Sequence, residues 1–287
     1  KREEIFRQEG WNYHLEQKEG PLKYNGVVYN EMKGAFSSPD EVLEREIMNH
    51  LFPDTTYGCE SGGDPKNIPD LTYENFLNFH RTYYHPSNSY IYLYGNMDME
   101  EKLAFLDEHY LSHFDYLDVD SVIQEQKAFG ACQDVTLEYP VAENEGEEDN
   151  TYLSYNMVVG NAADSQMAMA FEVLDYALLS APGAPLKQAL LDVKAGKDVY
   201  GSYDDGILQP YFTVIAKGSN PDRKEEFVSV IRQVLGDIVK NGIDRKAVEA
   251  GINYFEFRYR EADFSSYPKG LMYSLDILGD WLYEQGN

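Results

Sequence analysis

Cysteine is almost missing from these 287 residues: there are two, Cys59 and Cys132, and no Cys-x-x-Cys spacing. That argues against a disulfide framework and against a cysteine-ligated zinc site, and makes a reducing, cytoplasmic compartment the default. Basic residues are scarce too, 24 against 50 acidic ones, for a formal charge of −26. A surface so acidic repels phosphate backbones and anionic lipid, which argues against nucleic-acid and membrane partners. It attracts basic peptides, although acidity of this kind also simply keeps a large chain soluble. No apolar run approaches the ~20 residues needed to cross a bilayer.

Several common chemistries lack their motifs. Neither Gly-x-Gly-x-x-Gly nor Gly-x4-Gly-Lys-Ser/Thr occurs, so no phosphate-cradling loop is expected. Gly-x-Ser-x-Gly is absent as well, which leaves a nucleophile elbow without support. The opening Lys1-Arg-Glu-Glu-Ile-Phe6 has no apolar core and no small-residue cleavage site. It reads as the start of a helix rather than a secretory signal, and the expectation is a piece of a longer chain.

What is present is a globular composition, 43% hydrophobic and 14% aromatic with 24 tyrosines. Turn signals at Glu19-Gly20-Pro21 precede a compact apolar segment, Gly26-Val-Val-Tyr-Asn-Glu-Met-Lys-Gly34. Ser37-Ser-Pro-Asp40 then caps a helix over Asp40–Leu51. Residues 53–69 form a structured loop around Ser61-Gly-Gly-Asp-Pro65. Thr72 starts a helix that Pro86 ends near His85. Ser89–Tyr94 alternates like a strand, and Met99–Phe114 is periodic like a helix. A linker is expected over 121–130. Beyond it the pattern predicts a strand near Val135–Tyr139, an acidic loop Glu143–Asn150, and a strand Tyr152–Val159. A helix Ser165–Leu179, a break at Ala181-Pro-Gly-Ala-Pro185, a short helix to Val193 and a strand Pro210–Lys217 follow. Helices Asp222–Lys240, Arg245–Glu261 and Ser265–Glu284 close the chain. The order predicts an α+β fold, mostly antiparallel sheets with helices on one face, in outline used twice. Domain boundaries are expected at 1–120 and 131–287.

The histidines are His14, His50, His80, His85, His109 and His113. His109 and His113 stand four apart, a spacing that suits a metal on one helix face. No glutamate lies between them to act as a base, and histidines at a helix end more often serve the helix terminus. Glu31 by its local pattern is one acid in an apolar segment, and most such acids face solvent.

The Gly26–Gly34 segment gains weight from its company. Together with Ser37-Ser-Pro-Asp40, Leu51-Phe-Pro-Asp54, Tyr57-Gly58, Ser61-Gly-Gly-Asp-Pro65, Ile68-Pro69, Phe79-His80 and Tyr84-His-Pro-Ser-Asn88, it resembles the presequence-protease branch of the insulinase-like (pitrilysin) zinc metallopeptidases. Gln8-Glu-Gly-Trp11 and Tyr94-Gly95 fit the same branch. The resemblance is dense over the first hundred residues and weaker from Tyr152 onward. It implies two halves closing around a chamber, each half holding two related α+β domains. It also implies a zinc held by the histidines of an inverted His-x-x-Glu-His motif and by a distal glutamate, here Glu31. The motif's own glutamate would act as general base on zinc-bound water. No His-x-x-Glu-His occurs in this chain. The resemblance therefore implies no catalytic residue here, only the metal ligand Glu31, with the remaining domains of the parent chain as partners and unstructured peptides as substrates. The chain alone is expected to be inactive. An alternative is a non-catalytic binding or scaffold relative of the same family.

Overall fold

The computed structural model describes residues 2–142, 146–261 and 264–283. They fall into two compact units, Lys1–Pro140 and Val141–Asn287. The expected acidic loop begins outside the described residues, and the expected last helix ends outside them.

In the first unit, α1 (Glu3–Glu9) buries Phe6 and leads into β1 (Asn12–His14). β1 pairs antiparallel with β2 (Lys23–Asn25), Tyr13 opposite Tyr24. Two helices follow, α2 (Val27–Ala35) and α3 (Pro39–Leu51). Pro39 sits at the first position of α3, where an amide hydrogen would be unsatisfied anyway. α4 (Tyr73–Tyr83) opens on a reciprocal cap: Thr72 Oγ1 accepts from Asn75 N–H, and Asn75 Oδ1 accepts from Thr72 N–H. α5 (Met99–His109) is capped by Asp98. Phe6, Trp11 and Ile68 form the buried cluster, with Tyr29, Met32 and Tyr73 packed against it.

The second unit is built on β3 (Thr151–Val158), β4 (Asp198–Asp204) and β5 (Tyr211–Ser219). β5 is central and both pairings are antiparallel. Alternate residues share a sheet face, so Leu153, Val199, Phe212, Val214 and Ala216 point together into the core. That core is completed from α6 (Ser165–Asp175), α7 (Pro185–Asp192) and α8 (Lys224–Asn241). Between α6 and α7 the helix widens into a π turn, Tyr176–Ser180, closed by the Ala181 amide on the Tyr176 carbonyl at 2.8 Å. The chain continues as α9 (Arg245–Glu261), which packs on α6, and α10 (Lys269–Tyr283). The fold is α+β, with helices on one face of an antiparallel sheet.

Some expectations need correction. Residues 89–94 and 135–139 belong to neither sheet. Alternation describes which faces a segment offers, whereas a strand exists only where a neighbour takes up its ladder. The helix expected to Phe114 stops at His109, and that expected to Leu179 turns π after Asp175. The stretch 121–130 lies within the first unit. There the buried Gln126 side chain accepts from Asp54 N–H at 2.9 Å and donates to Asp54 Oδ2 at 2.8 Å.

Candidate functional site

Glu31 sits on α2, and the geometry of α2 follows from what holds its other side. Gly26 precedes the helix at φ +146° and is buried; a Cβ there would lie 2.3 Å from the Gly10 carbonyl oxygen and 2.7 Å from Trp11 Cα. Only glycine permits that backbone and that approach. Tyr29 N–H donates to the same Gly10 oxygen at 3.2 Å, and Asn30 Nδ2 donates to Asn25 Oδ1 at 2.7 Å. Tyr29 and Met32 pack against Phe6, Trp11 and Ile68. Glu31 lies off that packed side and is exposed. α2 is therefore a short helix clamped on one flank, presenting a carboxylate on the other.

The histidines do not gather around it. Among the described residues no group of three or more His, Cys, Asp or Glu is placed to hold a metal ion. His50 Nδ1 lies 2.7 Å from the Glu46 carbonyl oxygen within α3. His80 stacks on Tyr84 at 4.7 Å, and His85 caps a short turn by accepting from Ser87 N–H at 3.1 Å. His109 ends α5, while His113 lies in the separate 3-10 turn Leu111–His113. The break at Tyr110 (φ −138°, ψ −68°) removes the shared helix face that their spacing suggested. One exposed carboxylate does not make a zinc site, so the residues of this chain do not by themselves fit the metal.

In the first unit Tyr13 raises the Tyr24 hydroxyl above its ordinary range. The acids that burial disturbs lie in the second unit, and the sequence reading assigned them no role. Burial raises Glu172 above the ordinary carboxylate range, assisted by Asp205 and opposed by the Tyr259 hydroxyl. Burial likewise raises Asp175. Tyr203 and Tyr259 are both pushed up to about 12, first by burial and then by neighbouring acids. Two acids inside an otherwise apolar helix, Ser165–Asp175, were the available signal.

No described helix is long and apolar enough to cross a membrane.

Comparison with known proteins agrees with this fold. Residues 70–255 match the family model described as the peptidase M16 inactive domain. The protein HypA of Clostridium perfringens is 51% identical over 284 residues, covering 99% of this chain and 29% of that protein. Presequence protease 1, chloroplastic/mitochondrial, of Arabidopsis thaliana is 38% identical over 97% of this chain and 26% of its own length. The chain thus spans under a third of these curated relatives. The crystal structure of a peptidase M16 inactive domain from Pseudomonas fluorescens superposes with a TM-score of 0.64 at 19% identity, covering 89% of this chain and 59% of that one. A putative M16-like peptidase from Alicyclobacillus acidocaldarius gives a TM-score of 0.57 at 17% identity, over 91% of this chain and 63% of that one. With well over half its length matched, and with no His-x-x-Glu-His of its own, the chain belongs to the M16, insulinase-like peptidase family.

Proposed function

We propose that this chain is part of a zinc endopeptidase that hydrolyses unstructured peptides enclosed in a chamber, and that Glu31 is the third protein ligand of its metal. The observation that supports this is the placing of Glu31, an exposed carboxylate on a helix whose opposite flank is fixed through Gly26, Tyr29 and Met32. A catalytic zinc takes three protein ligands and keeps a fourth position open. The other two ligands and the general base come from parts of the longer protein outside this sequence, so no catalytic step is assigned to this chain alone. By itself it does not cleave peptides. Its partners are peptide substrates and the remaining domains of the protein.

The inactive-domain match supports a second reading, a non-catalytic scaffold. That match begins at residue 70, however, and leaves Glu31 outside it. The test uses the full-length protein with Glu31 intact and with Glu31→Gln, measuring bound zinc and cleavage of an unstructured peptide in the same samples. Loss of both in the variant supports the ligand role. Unchanged zinc and turnover remove Glu31 from the metal, and no zinc in either sample favours the scaffold.

A further inference from the structure

The second unit holds carboxylates that the peptidase reading does not use. Glu172 and Asp175 lie three residues apart on α6, both partly buried. Asp175 Oδ2 accepts from Ser180 Oγ at 3.2 Å, while its buried Oδ1 has no hydrogen-bond partner. α9 crosses α6 at the buried Gly251, where a Cβ would come within 3.2 Å of Val173 and Tyr176. Beside the crossing, Tyr176 and Tyr254 stack at 5.0 Å.

Tyr259 then joins three helices. Its hydroxyl donates to Glu172, 3.3 Å from Oε2 and 3.4 Å from Oε1. Its carbonyl accepts from the Tyr273 hydroxyl of α10 at 3.3 Å. At the other end of α10, the Tyr283 hydroxyl donates to the Gly206 carbonyl, in the loop after β4, at 3.3 Å.

The charges meeting at this seam are mostly of one sign. Glu172 faces Asp205 from the loop after β4, Asp276 from α10, and Arg258 and Tyr259 from α9, with Tyr203 of β4 alongside. Asp205 in turn faces Asp204, Asp276 and Asp280. Ionised, a partly buried carboxylate beside like charges weakens the packing around it; protonated, it does not.

We propose that α9 and α10 form a flap, hinged at Gly242, that closes on α6 while Glu172 and Asp175 hold protons and loosens when they ionise. Gly242 ends α8 at φ +86° and starts the short connection to Arg245, so a bend is accommodated there. The direction of the effect follows from linkage. Burial raises both acids in the closed form, so that form binds more protons than the open one. Closure is therefore fully favoured below the ordinary carboxylate range and is lost as pH rises through the raised values. Asp205, Asp276 and Asp280 are exposed, so salt screens their share.

The experiment is hydrogen exchange read by mass spectrometry on the full-length protein, at about pH 4, within the ordinary carboxylate range, and about pH 7.5, corrected for the intrinsic chemical rate. Peptides from α9 and α10 are expected to exchange several-fold faster at the higher pH. Peptides from α8 should stay level. Glu172→Gln combined with Asp175→Asn should hold the flap at its slow, acid rate at both pH values. Should that double variant fail to fold, Asp205→Asn, on an exposed loop, carries the test. Removing that charge should move the midpoint of the pH response downward. An unmoved midpoint, an unchanged pH response in the double variant, or an equal rise in α8 overturns the proposal.

Discussion

The indole Nε1–H of Trp11 donates to the carbonyl of Leu71 at 2.9 Å, across sixty positions of sequence. It ties the approach to β1 to the residue before the α4 cap. Trp11 is 8% exposed, so the bond is largely shielded from water.

Trp11→Phe keeps most of the ring and removes the donor, leaving the Leu71 carbonyl without its partner. The expected cost is about 1–3 kcal/mol of stability. Urea unfolding followed by circular dichroism reads it. An unchanged midpoint would mean that this bond does not help to hold the first unit.

At Gly26 the expected effect is larger and reaches Glu31. A methyl group 2.3 Å from the Gly10 oxygen forces either that backbone or α2 to shift. Gly26→Ala should cost about 1–3 kcal/mol from the left-handed strain alone. In the full-length protein it should also lower zinc occupancy although Glu31 is untouched. Normal zinc binding in a clearly destabilised variant would show that the carboxylate's position does not depend on this approach.

Leu186 and Leu190 of α7 are fully buried in the main core. Truncating either to alanine should cost about 2–5 kcal/mol, with the larger loss wherever the site collapses less. Thermal or urea denaturation monitored on the second unit decides it. A cost below about 1 kcal/mol would place α7 outside the cooperative core.

Asp149 stands in a left-handed turn (φ +55°), where its N–H donates to Asn220 Oδ1 at 2.9 Å and its Oδ1 accepts from Asn220 Nδ2 at 2.8 Å. The Asn220 amide first, and then Lys197, hold its carboxyl below the ordinary range. A depressed acid contributes stability above its unfolded pKa and loses it as pH falls through the folded value. Asn220→Ala should return Asp149 toward the usual carboxylate range, as read by an NMR titration of its side chain. A titration that does not move would assign the depression to Lys197 alone.

How far the sequence could be read depended on whether a segment's neighbours were local. α3, α4, α8 and α9 show apolar periodicity and their own start and stop residues, such as Thr72 with Asn75, and they lie close to where those signals put them. β5 was legible through its apolar run. β4, Asp198-Val-Tyr-Gly-Ser-Tyr-Asp204, was not, because glycine and aspartate disguise a strand that exists only through its pairing with β5. Ser89–Tyr94 failed in the opposite sense, since its alternation had nothing to say about a neighbour. Glu31 was singled out as a candidate ligand through the order of motifs around it, a role that stays a proposal, and the structure adds the clamp on α2 that no local pattern contains. Glu172 and Asp175 stood out in the sequence only as acids in an apolar helix; that α9, seventy or more positions away, packs on that helix was not legible.

The π turn at Tyr176–Ser180 has a consequence for insertions and deletions in this helix. An α-helix rarely hides three successive side chains, because each residue advances by about 100° around the axis. Here Ala177, Leu178 and Leu179 are all buried. A wide turn is the signature of one residue more than the α repeat would use, accommodated without disturbing the flanks. Shortening the chain by one residue at this point should therefore convert the bulge to ordinary helix, keep α6 and Ala181 in register, and cost the core one of those three side chains.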